Sequence, residues 1–524
     1  MGIKKPIRLL IKFIVTTTAA VTVDVLLCLW SDRLATEEAT SLTHYLIHAF
    51  MLVSFLAGWV LYLMFVHYEN VTGGRNYLKD HFRYDRSYGQ LLRYFRDADP
   101  YRLDVSMLPV ENWYTAEGVI LGKIRDRLIK RPSRGVGNLA VFSLPGGGKT
   151  TSQIIPTALR FRGSVLAIDI KGDILNATRE QRKRIRIFAP ADAVHSSHYN
   201  PLYGIENMSE IERRSFIEQL AYTFLPDSPD EDGKYFTSGG RDYFCGVASF
   251  LLERNIHTTL PEIAEAIVTG NAFEWTKTIV AAEGFDMAKA YVASYMGSNE
   301  KNVAGAYGAI VKCMRPYYRT ALAELLDGKG DCITPQTLES GWDVYIEIPQ
   351  DKIKQLAPIT SVLIQNFMLA FMQRADISTG SKQRPIIFLL DEFPQLQFDY
   401  DMLSSALATL RSKGVSLYMA MQSVAQLTQK YGDAGFRSII DTCAYISIMS
   451  AQDPQSRKYF SELCGTRKIL KVGTSHGENS SSRSTQEDRE PVYQPEDFGN
   501  LGDDVVIVAN GKYIRAEKTY YFKK

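Results

Sequence analysis

Cysteine is scarce in this chain, and the few that exist form no recognisable set. There are six among 524 residues, none in a Cys-x-x-Cys pair and none beside histidines at a metal-binding spacing. This pattern excludes a disulfide-stapled secreted domain and a cysteine zinc site, and it predicts reduced thiols in a cytosolic body. His195 and His198 lie three residues apart with no complete ligand set around them, so we interpret both as surface histidines.

Net charge is also small. The sequence has 60 Lys and Arg against 58 Asp and Glu, a formal charge of +2, which gives no global argument for nucleic-acid binding, so any basic surface must be local. With 45% hydrophobic and 11% aromatic residues, the composition excludes a disordered or collagen-like chain. The length predicts roughly three to four domains.

Two long hydrophobic runs stand near the N-terminus, at residues 13–30 and 45–66. Each is close to the roughly 20 residues that a helix needs to cross a bilayer. Basic residues precede the first run and follow the second, so the positive-inside rule predicts a two-span anchor over residues 1–70 with both termini in the cytoplasm. The alternative, a cleaved signal peptide, lacks an Ala-x-Ala cleavage site. Asp24, inside the first run, should face protein or water.

The segment that follows, residues 71–137, is polar and is predicted to be a membrane-proximal linker. From Tyr68 to Gly137 it holds 13 Lys and Arg against 9 Asp and Glu, with tyrosines interleaved among arginines. Such interleaving suits contact with nucleic acid and contact with anionic lipid headgroups. A solvated linker explains it equally well, and the three interpretations stay open.

An α/β rhythm begins at Asn138. Short apolar strands alternate with helices through residues 138–202, the pattern turns helical over residues 203–340, and the alternation resumes over residues 341–524. The helical stretch is too long for a loop. The pattern therefore predicts an α/β domain interrupted by an inserted all-α domain. The Ser-rich stretch Gly473 to Gln494 is predicted to be a flexible loop.

A phosphate-binding loop is predicted where the first strand meets the first helix. The sequence Ser143-Leu-Pro-Gly-Gly-Gly-Lys149-Thr150 fits G-x-x-x-x-G-K-[ST], except that Ser143 stands at the first glycine. Lys149 would reach the β- and γ-phosphates, and Thr150 would ligate Mg²⁺. The residues predicted to bind the nucleotide are Ser143, Leu144, Pro145, Gly146, Gly147, Gly148, Lys149, Thr150, Thr151 and Asp391.

The partner motif is an apolar strand, residues 385–390, that ends in Asp391-Glu392. Asp391 is predicted to hold Mg²⁺ together with Thr150, and Glu392 to orient and deprotonate the attacking water. Gln422 ends the next apolar strand and is predicted to sense the γ-phosphate, with a surface glutamine as the alternative. The predicted catalytic residues are thus Glu392, Lys149 and Gln422.

Several motifs together resemble the type IV secretion coupling proteins of conjugation systems, the TraG/TraD-type family. Asp169-Ile-Lys-Gly-Asp173 is similar to the family's D-P-K-G-[ED], with Ile170 replacing proline. Asn200-Pro-Leu202 is similar to its N-P-L, and Leu390-Asp-Glu-Phe-Pro394 to its L-D-E-F-P. Gln422-Ser423 resembles its Q-S motif, and Ser450 to Asp453 the strand region that follows. The resemblance spans about residues 118–520.

The resemblance implies a RecA-like ATPase with ATP and Mg²⁺ as ligands, anchored in the bacterial inner membrane as a homo-hexamer. It implies a motor that links relaxase and relaxosome proteins on single- and double-stranded DNA to a type IV secretion channel. In a ring, basic patches such as Arg179 to Arg186 would repeat around a pore. Arg411 and Arg437 are candidates for an arginine supplied to a neighbour's site, with surface arginines as the alternative.

Other functions remain open at the level of sequence. The chain could recruit protein effectors only, or act as a nucleotide-gated docking scaffold with little turnover. Glu392 argues against the scaffold, because a carboxylate beside Asp391 serves hydrolysis. A chromosome-partitioning translocase usually carries a longer anchor and a winged DNA-reading domain, for which this sequence offers no candidate segment.

Overall fold

The computed structural model describes residues 117–523, apart from 125–126, 132, 134, 229, 378–381 and 478–479, together with residues 110–111 and Ala49. The predicted membrane spans, residues 13–30 and 45–66, and most of the predicted linker lie outside the described residues.

One mixed sheet of 12 strands organises the described chain, in the order β1-β3-β2-β16-β15-β12-β4-β11-β10-β5-β9-β6. Seven strands from β12 to β6 run parallel, and the other five extend the sheet as antiparallel neighbours beyond β12. The strands of this sheet are β1 (Val110–Glu111), β2 (Val119–Ile124), β3 (Arg127–Arg131), β4 (Asn138–Phe142), β5 (Ser164–Asp169), β6 (Ile185–Phe188), β9 (Asp343–Glu347), β10 (Ile386–Leu390), β11 (Val415–Met421), β12 (Cys443–Ile448), β15 (Asp504–Ala509) and β16 (Lys512–Glu517). The remaining strands form two separate pairs, β7 (His198–Tyr199) with β8 (Cys332–Ile333) and β13 (Thr466–Gly477) with β14 (Ser480–Pro491).

Helices cover both faces of the parallel strands. In chain order they are α1 (Ile155–Arg160), α2 (Asp173–Thr178), α3 (Glu210–Phe224), α4 (Glu231–Arg254), α5 (Leu260–Thr269), α6 (Ala272–Ala281), α7 (Asp286–Val292), α8 (Glu300–Met314), α9 (Ala321–Leu325), α10 (Pro335–Glu339), α11 (Ile353–Met372), α12 (Tyr400–Thr409), α13 (Val424–Asp441) and α14 (Pro454–Cys464). The α/β alternation predicted on both sides of the long helical stretch is confirmed.

The central strands are buried on both faces, as their continuous apolar sequences predict. Successive residues of β10 alternate between two cores, with Phe388 in the core that includes α11 and Leu389 in the core that includes α1 and α2. This period of two is what a strand between two helical layers requires. The strands are thereby fixed between two helical layers, and the predicted site residues follow directly after them.

One helix in the described part of the chain, Gln350–Met372, is long and apolar enough to cross a membrane. It includes α11, and 67% of its most apolar 18-residue stretch is buried inside the fold. Its Val362 and Phe367 are fully buried in the core beneath the sheet. Packing inside the fold therefore accounts for the apolar sequence of this helix.

The segment between the strands β6 and β9 is mainly helical. Helices α3 to α10 fill it, and the short parallel pair β7 and β8 joins its two ends through His198 with Cys332 and Tyr199 with Ile333. The hydrophobic core of these helices is continuous with the α11 face of the sheet. The helical content agrees with the sequence pattern, whereas the division into a separate all-α domain over residues 203–340 stays a prediction.

Two sequence-based expectations are wrong. Residues 110–111, 119–124 and 127–131 lie in the predicted linker but form strands β1, β2 and β3 of the main sheet, because Val119–Leu121 and Leu128–Ile129 are buried there. The stretch Gly473 to Gln494 is not a loop, since most of it belongs to the hairpin of β13 and β14, which pairs from Thr466 with Pro491 to Gly477 with Ser480. In residues 473–494 charged and polar residues outnumber the apolar ones, and in residues 110–131 they equal them, so composition alone does not reveal the strands.

Candidate nucleotide-binding site

Three neighbouring parallel strands bring the predicted site residues together. Ser143 follows β4, Gln422 follows β11, and Asp391 and Glu392 follow β10. The strands pair in register, with Phe142 opposite Met421 and Leu390 opposite Met419. Carboxyl ends of parallel strands meet at one edge of a sheet, which is where open α/β folds bind ligands.

The loop after β4 turns sharply on glycines. Gly146 and Gly148 have φ of 75° and 93°, a left-handed backbone that side chains rarely adopt. A Cβ on Gly147 would overlap Ser143 Oγ and lie 3.0 Å from Leu144 O. The N–H of Gly147 donates to Leu144 O at 2.9 Å. The loop is thus a narrow backbone cradle that has no room for a side chain at Gly147.

Ser143, the departure from the usual glycine, fits this loop. It is fully buried, its N–H donates to Met421 O at 3.0 Å, and its hydroxyl donates to Leu144 O at 3.2 Å. The N–H of Leu144 donates to Ser450 Oγ at 3.2 Å. The serine therefore satisfies its own polar groups, and the loop keeps its shape. Pro145 and Gly146 form the exposed tip.

Lys149 lies between both carboxylates of the second motif. Its Nζ is 3.3 Å from Asp391 Oδ1 and contacts Glu392 Oε1. Burial works to lower the pKa of Lys149, but the negative charges of Asp391 and Glu392 outweigh it and raise the pKa above its ordinary value. Lys149 is therefore a fixed positive charge held between the two carboxylates.

The predicted metal ligands meet directly. Thr150 Oγ1 donates to Asp391 Oδ2 at 3.0 Å. Thr150 opens a π-helical turn, Thr150–Ile154, that continues into α1, and such turns occur often at functional sites. A hydroxyl and a carboxylate form an oxygen-only donor set, which is the kind that Mg²⁺ prefers.

Glu392 and Gln422 also meet. Gln422 Nε2 donates to Glu392 Oε2 at 3.0 Å. Glu392 has φ of 53° and ψ of 42°, a left-handed conformation that is uncommon for a residue with a side chain. Strained backbone of this kind concentrates at functional sites. The structure thus brings Glu392, Lys149 and Gln422 into one contiguous cluster.

Sequence reasoning missed the other flank of the loop. Tyr521 N–H donates to Thr151 O at 3.1 Å, and the ring of Tyr520 faces Gly148. These residues follow β16, which lies on the opposite side of β4 from β10. No motif in the sequence signals this contact, because it depends on how the antiparallel strands fold back.

The remaining motif residues have structural roles in the described chain. Asp169 Oδ2 accepts from Leu175 N at 2.7 Å, and Gly172, with φ of 72°, begins α2. Arg411 and Arg437 are exposed. Among the described residues, no hydrogen bond or ion pair joins either arginine to Lys149 or the two carboxylates.

Comparisons with known proteins agree on one family. The family described as "Type IV secretory system Conjugative DNA transfer" matches residues 114–524. The chain is 22% identical over 413 residues to the type IV secretion system-coupling protein VirD4 of Bartonella henselae, covering 74% of this chain and 63% of the relative. It is 27% identical over 410 residues to the probable conjugal transfer protein TraG of Sinorhizobium fredii, covering 73% and 62%. The chain thus spans less than two thirds of the length of these relatives.

Solved structures show the same fold. The bacterial conjugative coupling protein TrwBdeltaN70 superposes with a TM-score of 0.60 and 17% identity over 78% of this chain and 89% of that one. TrwB in complex with ADP and Mg²⁺ gives a TM-score of 0.58 over 78% and 89%, at 16% identity. The α/β fold with its mixed central sheet is accordingly that of TrwB, and it fits the RecA-like type predicted from sequence. This chain belongs to the type IV secretion conjugative DNA-transfer family.

Proposed function

We propose that this chain is a membrane-anchored, ATP-hydrolysing coupling protein that recruits a relaxase–DNA substrate and drives its transfer through a type IV secretion channel. The observation that supports it best is the convergence of Lys149, Asp391, Glu392 and Gln422 at the carboxyl ends of adjacent strands. A loop that only turned the chain would not need two carboxylates and an amide around its lysine.

The residues present fit a nucleoside triphosphate with Mg²⁺. The loop has no room for a side chain at Gly147, so a phosphate group can approach its backbone closely, and Lys149 supplies positive charge to the β- and γ-phosphates. Thr150 and Asp391 would hold the ion. When bound, Mg²⁺ neutralises charge that develops on the phosphates.

Glu392 is the general base of this proposal, and Gln422 positions it. In the structure Lys149 contacts one carboxylate oxygen and Gln422 donates to the other. The phosphates of a bound triphosphate are the other negative groups that Lys149 would meet. A triphosphate competes for Lys149, so its binding would release Glu392 to accept a proton from water.

The coupling role rests on the family. VirD4 of Bartonella henselae is named a type IV secretion system-coupling protein, and TraG of Sinorhizobium fredii a probable conjugal transfer protein. The proposal includes the anchor over residues 1–70, an inner-membrane location, a homo-hexamer and the all-α insertion over residues 203–340. The partners would be DNA, relaxosome proteins and the secretion channel.

ATP turnover of the full chain in detergent, with and without single-stranded DNA, tests the proposal. We expect Mg²⁺-dependent turnover that DNA stimulates and that the Lys149→Ala variant lacks. Lys301→Ala is a matched control, since Lys301 is exposed on α8. Absence of turnover in the unaltered protein would contradict the ATPase, and turnover that ignores DNA would contradict the DNA-driven motor.

A further inference from the structure

An aromatic segment, Tyr520 to Phe522, lies against the phosphate loop on the side away from Glu392. Tyr521 N–H donates to Thr151 O at 3.1 Å. An ideal Cβ on Gly148 would lie 3.4 Å from Tyr520 Cε1 and 3.5 Å from its hydroxyl. The segment is therefore docked on the loop by a backbone hydrogen bond and by close ring contact.

Its rings form one partly exposed aromatic surface. The Tyr520 and Phe522 ring centroids are 5.5 Å apart with the planes inclined by 32°, and Phe522 is 59% exposed. Tyr520 is held in place because its hydroxyl donates to Asp503 Oδ1 at 3.0 Å. Exposing an apolar surface to water costs free energy, and a ligand that covers this surface would recover part of it.

The two flanks of the loop differ in chemistry. The flank toward β11 and β10 carries Lys149, Asp391 and Glu392, which suit the terminal phosphates and the metal. The flank toward β12 and β16 carries the aromatic segment and Ser450. A nucleotide has the same division, because one end is a chain of charged phosphates and the other is a flat heterocyclic base.

We propose that Tyr520, with Phe522 beside it, is the stacking platform for the base of the nucleotide, and that it makes the site favour purine nucleotides. This inference rests on the proposed function, since it requires a nucleotide on the phosphate loop. Every base has a π-face, and purines offer the larger one, so an aromatic platform selects by ring area rather than by hydrogen bonding.

The ammonium group of Lys523 covers the ring of Tyr520 and must move before a base can stack there. Its Nζ lies 4.5 Å from the Tyr520 ring centroid, and the residue is exposed. An ammonium group on an exposed ring gains little, because it gives up part of its hydration. A base therefore displaces Lys523 at small cost, and the lysine returns to water.

The test compares nucleotides with inorganic triphosphate, which has the phosphates without the base. Binding of ATP, ADP and inorganic triphosphate is measured with Mg²⁺ on the full chain in detergent. We expect Tyr520→Ala to weaken ATP and ADP about tenfold, the typical effect of losing one base stack, and to leave triphosphate binding unchanged. Tyr520→Phe keeps the ring but loses the hydrogen bond to Asp503, so it should lose much less ATP affinity than Tyr520→Ala. Tyr235→Ala is the matched control, because Tyr235 is 51% exposed on α4.

Other outcomes would contradict either the stacking role of Tyr520 or the proposed function. Equal losses for ATP and triphosphate would make Tyr520 a support of the loop, and unchanged ATP binding would overturn the inference outright. In the unaltered protein, ATP and GTP should compete several-fold better than CTP and UTP, and this ratio should fall in Tyr520→Ala. Equal competition by all four would overturn the inference even if that variant failed to fold. Failure of the proposed function looks different, since Lys149→Ala would then leave ATP and triphosphate binding unchanged.

Discussion

Gln422 and Glu392 are joined by a hydrogen bond of 3.0 Å from Nε2 to Oε2, while Lys149 contacts the other oxygen of the same carboxylate. Gln422 follows β11 and Glu392 follows β10. Glu392 itself has a left-handed backbone conformation. The carboxylate is therefore held at both oxygens before any substrate arrives, and the bond from Gln422 would remain when a triphosphate takes over Lys149. Positioning of this kind is what a general base needs.

Glu392→Gln should separate binding from hydrolysis. The amide keeps the size and the contact with Gln422 but cannot accept a proton from water, so we expect ATP affinity near that of the unaltered protein. We expect turnover to fall by about 10²-fold or more. Isothermal titration and steady-state turnover measure the two quantities. Lys149→Ala should instead lose affinity, because it removes the charge that the phosphates meet. Normal turnover by the Glu392→Gln protein would refute the assignment of the base.

Gln422→Ala should lower kcat and leave KM nearly unchanged. The change removes the donor to Glu392 Oε2, so the base loses its orientation while the phosphate loop is untouched, and we expect a loss of about tenfold or more. Gln452→Ala is a suitable control, since Gln452 lies in the loop before α14 and outside the cluster. If KM rose while kcat held, Gln422 would be a binding residue instead.

The packing of Gly147 against Ser143 predicts an interdependence between the two positions. Gly147→Ala should abolish nucleotide binding, because its Cβ would overlap Ser143 Oγ. Adding Ser143→Gly should recover part of that binding, although Leu144 O at 3.0 Å and Ser450 Oγ at 3.1 Å still crowd the methyl group. Ser143→Gly alone restores the usual loop sequence and should bind as before. Equal affinities for the single and double alanine variants would show that Ser143 is not the obstacle.

Most of the site was predictable from sequence because its parts are local. The glycines, the lysine and the threonine lie in one loop, and the two acids follow one apolar strand. Each motif can therefore be recognised from the spacing of its residues in the sequence. Gln422 was harder, since its role depends on β11 lying between β4 and β10 in the sheet.

What the sequence could not predict depends on long-range pairing. Strands β2 and β3 reach the main sheet only through β16, where Glu517 pairs with Lys123. That pair joins residues near both ends of the described chain, which no local pattern can indicate. The contact of Tyr520 with Gly148 depends on the same arrangement, so periodicity offers no signal for it.

The predicted anchor makes a direct statement about topology. A reporter enzyme fused near Glu37, between the two hydrophobic runs, should be active outside the cytoplasm, and one fused after Arg86 should be active inside. The reason is that basic residues flank the outer ends of both runs. Paired fusions of alkaline phosphatase and a cytoplasmic reporter measure this. Cytoplasmic activity at both positions would mean that the first run does not span the membrane.

Lys430 predicts a pH-dependent stability. Burial lowers its pKa to about 8, and its Nζ donates to Pro394 O at 3.2 Å, just beyond Glu392. Below pH 8 the folded protein must hold this lysine charged in a buried place. Above pH 8 the folded state releases the proton while the unfolded state keeps it up to its ordinary pKa, 10.5. The unfolded state then binds more protons, so this group's contribution to stability rises with pH between about 8 and 10.5.

Lys430→Met should therefore stabilise the protein most below pH 8. A change of one unit in pKa corresponds to about 1.4 kcal/mol, so the advantage of the methionine variant should shrink by at least that order between pH 7 and pH 10. Urea unfolding of the full chain in detergent at several pH values measures this difference. Lys301→Met, on the exposed side of α8, controls for general effects of pH and of losing a charge. A constant difference between the Lys430→Met variant and the unaltered protein across this range would mean that Lys430 is solvated and charged throughout.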